Sequence, residues 1–368
     1  MTDWRDEPVG CPTCGEPAVA DDRWCEACGA ALPGTPASPG SPPTPVTTVT
    51  AVTAEGPPPS ITGAPAGAVG LAGSTAPGCP SCGAPDDEAD VDGYCGRCGR
   101  RWAPVPEHYE VVDGPVAAVS DRGTTHWRNE DAVGLRWIAG DPGGFVMVVC
   151  DGVSLSQDPH LVSRAAVETA LLVLSGAVSA GGDLDAAMVE AAAAAQRAAA
   201  SVPYDPGHDL GPGACTFVAT AVRGTRAAFG SIGDSRAYWV DAEGAVQIGS
   251  DDSLAAELVA SGGYTARQAM ATTGAHALTK WLGIDSTDAV PTVTSAELPG
   301  PGLVVLASDG LWNYAPEPAD LAQLIGPVGA ESPLDLARRL AAFAEASGGA
   351  DNITVAVGPY GLDRLEVR

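Results

Sequence analysis

Two apolar runs, each stopped by an Asp-Gly pair, constrain this chain most. They are Gly144-Phe-Val-Met-Val-Val-Cys-Asp-Gly152 and Gly302-Leu-Val-Val-Leu-Ala-Ser-Asp-Gly310. Runs of that length and composition read as buried strands. A carboxylate at the end of a core strand is held rigidly, half out of the interior, which suits a metal ligand. The glycine behind it lets the backbone turn and brings a carbonyl close to whatever the acid binds. Asp-Gly is also an ordinary turn pair, so two such ends leave a plain strand-to-turn reading open.

The surrounding pattern is of strands in blocks and helices in pairs. Strand-like runs fall at 115–120, 131–139, 145–150, 214–222, 226–232, 237–240, 245–248, 290–296, 303–307 and 353–357. Helical stretches fall at 160–180, 184–201, 253–261, 265–272, 318–325 and 333–346. Several strands are joined by hairpin-type turns, Arg223-Gly-Thr and Asp241-Ala-Glu-Gly among them. Blocks of this kind predict an α+β fold of antiparallel sheets covered by helices, against a doubly wound parallel sheet. A joint near 103–114 is expected to lead into this domain, placed at 111–360.

The first 103 residues differ in texture. Cys11, Cys14, Cys25 and Cys28 form two Cys-x-x-Cys pairs separated by 10 residues; Cys79, Cys82, Cys95 and Cys98 form two more separated by 12. Each pair is followed by glycine, and four thiolates offered from two tight loops suit tetrahedral zinc. Redox dithiols or extracellular disulfides are the competing readings. The expectation is two small zinc ribbons, 1–32 and 78–103, each holding one structural Zn²⁺. Residues 33–77 carry one charge, Glu55, and few large apolar side chains, the composition of a disordered Pro-rich linker. Cys150 and Cys215 sit in apolar runs and read as core residues.

Besides Asp151-Gly152 and Asp309-Gly310, acids recur at the ends of strand-like runs. Glu130 and Asp131 precede the second strand, Asp234 lies in a tight turn, and Asp351 precedes the last strand. Hard oxygen donors with few His or Cys among them select Mg²⁺ or Mn²⁺ over Zn²⁺.

In this order the segments DRGTTHWRNEDA, VVCDG, GACTFVATAV, GSIGDSRAY, VVLASDGLW and GGADNITVAV resemble the metal-dependent protein phosphatase family of the 2C type, over about 111–357. The resemblance implies two packed antiparallel sheets flanked by helices, and hydrolysis of phosphoserine and phosphothreonine in proteins by a metal-activated water. It implies that Asp151 bridges two Mn²⁺ or Mg²⁺ ions, with the Gly152 carbonyl on one of them. Asp309 and Asp351 would hold the other, and Glu130 would assist through water. Asp131 would orient the attacking water, Asp234 would help hold a weaker third ion, and Asn352 would brace the last strand. Such an enzyme needs no side-chain nucleophile.

Departures from the family pattern concern substrate grip. His126 stands where the family has a phosphate-gripping arginine, and an imidazole carries charge only part of the time near neutrality. His126, with Arg122 and Arg128 nearby, is expected to contact the phosphate and to serve as proton donor; the alternative is a loop residue without a role. The Val153–Asp158 segment replaces a glycine-rich turn, and Asn313 replaces an acid near the third ion. A net charge of −27 argues against nucleic acid and anionic membrane as partners. With neither an apolar leader nor a clear spanning segment, the expectation is a soluble, cytoplasmic, monomeric enzyme. Its partners would be phosphorylated substrates of serine/threonine kinases and a ligand of the ribbons. The alternative function is a phosphoprotein-sensing module without turnover.

Overall fold

The computed structural model describes residues 9–10, 17–18, 107–126 and 128–362. The chain divides into the units Met1–Gly73 and Ser74–Arg368. In the first unit β1 (Val9–Gly10) pairs antiparallel with β2 (Pro17–Ala18). All eight ribbon cysteines, and the linker 33–77, lie outside the described residues.

In the second unit β3 (His108–Asp113) and β4 (Val116–Asp121) form a hairpin, as do β5 (Ala132–Ile138) and β6 (Gly144–Cys150). Helices α1 (Pro159–Ala180) and α2 (Leu184–Ala199) follow. Then come β7 (Ala214–Cys215), β8 (Phe217–Arg223), β9 (Arg226–Ile232), β10 (Arg236–Asp241) and β11 (Gly244–Ile248). Short α3 (Leu254–Ala260) and α4 (Ala266–Met270) lead to β12 (Leu282–Gly283), β13 (Thr292–Glu297) and β14 (Gly302–Ala307). The unit closes with α5 (Asp309–Trp312), α6 (Pro318–Ile325), α7 (Pro333–Ala346) and β15 (Ile353–Tyr360).

Two large antiparallel sheets result, beside a short antiparallel pair of β12 with β7. One has six strands in the order β11-β10-β14-β15-β4-β3, the other five in the order β13-β9-β8-β6-β5. Period-two alternation then sorts each strand's side chains between two layers. On β6, Phe145, Met147 and Val149 enter the core between the sheets, while Val146, Val148 and Cys150 face α1 and α2. On β14, Val304 and Leu306 point between the sheets, and Leu303, Val305 and Ala307 pack under α6 and α7. Strands β6, β14 and β15 are therefore apolar on both faces because both faces are covered, and the order of layers is helix, sheet, sheet, helix. Gly144 is required where β6 meets β8: a Cβ there would lie 1.9 Å from the Val222 carbonyl oxygen.

Four local expectations change. The 103–114 stretch contains edge strand β3, whose alternating half-burial marks a strand with one solvated face. The 214–222 run breaks at Thr216 into β7 and β8, because the Thr216 N–H turns to the Asp151 carbonyl at 2.8 Å. Asp309-Gly310 begins a helical turn, α5, where a bare turn was expected. Helix α1 is 22 residues long, and by length and composition it is apolar enough to cross a membrane. Its Val162, Ala166, Ala170 and Leu174 are fully buried in the core beneath the five-stranded sheet.

Candidate metal centre

Strand register gathers the acids. Ala132 pairs with Cys150, so Glu130 and Asp131 at the start of β5 sit beside Asp151 at the end of β6. Arg236 pairs with Ala307, which brings Asp234, two residues before β10, to the end of β14 where Asp309 lies. Ala307 in turn pairs with Val355, so Asp351 just before β15 arrives at the same end of that sheet. Strand register thus delivers the six acids as two sets of three, Glu130, Asp131 and Asp151 in one sheet and Asp234, Asp309 and Asp351 in the other, and the face-to-face packing brings the two sets together.

Crowding shows in their protonation. Glu130, Asp131 and Asp234 are buried, whereas Asp151, Asp309 and Asp351 keep a solvent-facing edge. Loss of water pushes the Asp131 carboxyl up to about 8, with the charges of Asp351 and Asp309 adding to the rise. The same loss, with Asp351 beside it, lifts Asp309 to about 7. Asp151 stands well above the usual carboxylate range through desolvation and then through Asp131, Asp309, Asp351 and Asp234. Asp234 is raised by desolvation, Asp309 and Asp251, and Glu130 by desolvation. Each shift records a charged form that is costly without a counter-cation.

Neutral groups hold the acids in place. Asn352 accepts from the Glu130 N–H at 2.7 Å and donates to the carbonyls of Arg122 at 2.9 Å and Arg128 at 3.0 Å. Ser308 donates to Asp131 Oδ2 at 2.8 Å and accepts from the Thr354 N–H at 2.9 Å. Thr216 Oγ1 accepts from the Asp151 N–H at 3.0 Å and lies 2.7 Å from the Ser235 hydroxyl, next to Asp234. Ser154 donates to Glu130 Oε2 at 2.6 Å. Gly310 fits under the Asn352 carbonyl oxygen, where a Cβ would approach to 2.0 Å. Of these braces only Asn352 is legible in the sequence. Ser154, Thr216, Ser235 and Ser308 adjoin acids or face them from other strands, and their one signal is a small hydroxyl residue inside an apolar run.

The basic residues are placed less simply. His126 Nε2 lies 3.1 Å from Asp351 Oδ1, so the imidazole borders the acidic cluster. Arg122 donates to the His126 carbonyl and lies 3.6 Å from Glu107. Arg128 is largely buried, with its guanidinium against the His160 ring and 3.5 Å from Asp158. Burial, helped by the Arg128 charge, holds His160 down to about 4, so it is a neutral imidazole at physiological pH. Cys150 and Cys215 are buried core thiols, and burial pushes Cys150 well above its usual range, which makes it a poor nucleophile.

The donor set fits a hard divalent cation. All six side chains offer carboxylate oxygens, and Asp131 Oδ1 and Asp309 Oδ1 are buried without a hydrogen-bond partner. Among the described residues, no three acidic, imidazole or thiol groups stand in ready ligand geometry about one point.

Comparison with known proteins agrees with this geometry. The family model described as protein phosphatase 2C matches residues 122–343. The serine/threonine phosphatase stp of Listeria innocua is 31% identical over 155 residues, 40% of this chain and 57% of that protein. The match therefore spans little more than half the length of that relative. Among solved structures, the S. agalactiae serine/threonine phosphatase is 25% identical with a TM-score of 0.54, covering 68% of this chain and 98% of that one. The Mycobacterium tuberculosis serine/threonine phosphatase PstP/Ppp is 29% identical with a TM-score of 0.51, covering 66% and 96%. With its sheets, its acids in order and its matched segment covering more than half its length, the chain belongs to the protein phosphatase 2C family.

Proposed function

We propose that the 111–360 domain hydrolyses phosphoserine and phosphothreonine in proteins, using two Mn²⁺ or Mg²⁺ ions held by Asp151, Gly152, Asp309, Asp351 and Glu130, with Asp234 at a weaker third position. The observation that carries this reading is the convergence of six carboxylates, two with buried unpartnered oxygens, at one end of both sheets. Bound divalent cations would acidify a water and offset charge on the phosphoryl oxygens. Asp131, fixed by Ser308, offers Oδ1 to orient the attacking water. His126, 3.1 Å from Asp351, would meet the phosphate and return a proton to the departing serine or threonine oxygen. Arg122 holds the His126 backbone, and Arg128 adds positive charge near Glu130. The buried thiols argue against a cysteinyl-phosphate route.

Manganese-dependent release of phosphate from a phosphothreonine peptide, lost in Asp309→Asn, tests the assignment; binding without release in the wild type would favour the sensing module. For His126, the expected result is that His126→Ala lowers kcat/KM by about 10²-fold, in the range of a lost acid–base group. His126→Arg should recover KM but not kcat. Equal rates and pH profiles in all three proteins would remove His126 from the site.

The carboxylate shifts also predict how cation and pH interact. Asp131 and Asp309 hold protons in the metal-free fold up to about 8 and 7, whereas unfolded carboxyls lose them near 3.8. The folded form thus binds more protons than the unfolded one between these values, and metal-free stability falls as pH rises through them. A cation displaces those protons, so its stabilising effect grows over the same range. At a hundredfold excess over Kd the gain is about 2.7 kcal/mol, or roughly 5–10 °C in Tm for a domain of this size. Thermal melts with Mn²⁺ or EDTA should diverge more at pH 8 than at pH 5.5; a constant or shrinking gap would contradict the account.

The cysteine spacing supports two structural Zn²⁺ sites in the N-terminal ribbons, which we assign to docking or regulation across the 33–77 linker. We further propose a cytoplasmic monomer acting on kinase substrates; the net charge of −27 disfavours nucleic acid and anionic membrane as partners.

A further inference from the structure

The segment after Asp151-Gly152 is tied down along its length. Val153 N–H donates to the Ala214 carbonyl at 2.9 Å, and Gln157 N–H to the Gly211 carbonyl at 3.0 Å. The Gln157 amide donates to the carbonyls of Asp205 at 3.0 Å and Leu210 at 2.8 Å, and its oxygen accepts from the Asp205 N–H at 2.8 Å. Ala214 N–H closes the set on Ser156 Oγ at 3.1 Å. These bonds join 153–158 and 205–214 into one platform. Its inner end is anchored in the acidic centre, because Ser154 donates to Glu130 Oε2 at 2.6 Å.

The platform carries apolar side chains outward. Ser156 and Gly211 form a parallel bridge. Leu155 and Leu210 each immediately precede a bridged residue, Leu155 within a turn closed by the Ser156 N–H on the Val153 carbonyl at 2.9 Å. Leu155 is 74% exposed, Leu210 is 37% exposed, and Tyr204 just ahead of the second loop is 39% exposed. Single exposed leucines are common and need no account. Leu155 differs in being held out by the hydrogen bonds of its loop, one residue from the serine that touches Glu130. The same loops contain Asp205 and Asp209 and no lysine or arginine, within a chain of net charge −27, while their third acid, Asp158, lies 3.5 Å from Arg128. Such a rim repels acidic segments and attracts basic ones.

We infer that this platform receives the polypeptide flanking the phosphorylated residue, and that it selects phosphoprotein segments with an apolar side chain close to the phosphosite and basic residues beyond it. The inference rests on the phosphatase reading and adds which phosphoproteins suit the site. Leu155 and Leu210 would cover the apolar side chain, and the loop carboxylates would meet the basic flank.

Three phosphothreonine peptides test it: one with leucine beside the phosphosite and lysine flanks, one with serine for that leucine, and one with glutamate for the lysines. Binding is read by fluorescence anisotropy on the full chain carrying Asp151→Asn, and turnover on the otherwise wild-type chain with Mn²⁺. The leucine peptide should be favoured about tenfold, a partly buried leucine's share of apolar transfer. Leu155→Ser should reduce that preference to about twofold or less, while Leu172→Ser, on the outer face of α1, leaves it intact. The glutamate peptide should bind more weakly at low salt. Absence of a leucine preference, its persistence in Leu155→Ser, or equal binding of the glutamate peptide overturns the inference. A leucine preference in binding with no turnover of any peptide leaves the platform standing and defeats the phosphatase reading instead.

Discussion

Asp151→Asn is expected to lower manganese-dependent phosphopeptide hydrolysis by on the order of 10³-fold, the scale of losing one preorganised charge at a reacting centre, while the metal-free protein melts no lower than wild type. The two effects share one cause. Asp151 stands at the end of β6 among Asp131, Asp309, Asp351 and Asp234, whose charges all oppose its ionisation. Asparagine keeps the shape and removes a charge that is a cost until a cation arrives. Without cation, therefore, the substitution relieves repulsion; with cation, it removes the acid predicted to bridge both ions. Paired melts with EDTA and with Mn²⁺ separate these effects: wild type should gain Tm on adding Mn²⁺ and the variant should gain little. A variant that retains both activity and the Mn²⁺-induced gain would show that Asp151 is not a ligand.

Asn352→Ala is expected to be the most damaging polar substitution for the fold near the site. Its side chain is 2% exposed and satisfies three backbone groups of the 122–130 segment at 2.7, 2.9 and 3.0 Å. Alanine leaves the Glu130 N–H without this partner in the interior, at about 1–3 kcal/mol, besides two further lost bonds. A total near 3 kcal/mol corresponds to a fall in Tm of roughly 6–12 °C. Activity should fall as well, because Glu130 and Asp351 are positioned by the segments that Asn352 joins. Asn352→Asp keeps the acceptor for Glu130 but loses both donors and adds a carboxylate to the cluster, so it should not rescue. Urea unfolding of the three proteins checks this; a loss below about 1 kcal/mol for alanine would mean that water replaces the amide.

Much of the architecture was legible because local pattern and burial agree. The runs at 145–150 and 303–307 are apolar throughout because each strand is covered on both faces, and α6 and α7 occupy the helical stretches expected at 318–325 and 333–346. Strand β3 was missed because an edge strand alternates weakly and carries His108, Glu110 and Asp113, which resemble a polar joint. The break at Thr216 was invisible because its cause, the Asp151 carbonyl, lies 65 residues away.

The sequence by itself determined that Glu130, Asp131, Asp151, Asp234, Asp309 and Asp351 each lie at a strand end or turn, in the order its family shares. That much is local, since a strand ends where its apolar run stops. Only tertiary structure decided that these acids meet at one end of the two sheets, since register across β5–β6, β10–β14 and β14–β15 sets which ends meet. It alone also assigned Ser154, Thr216, Ser308 and Asn352 as braces and turned Arg128 toward His160. Side-chain partners depend on distances between segments far apart in the chain, and nothing in a local run of residues encodes them. The same holds for the joining of 153–158 to 205–214: the two loops are distant in the chain and meet only through the bridge at Ser156 and Gly211 and the hydrogen bonds around it.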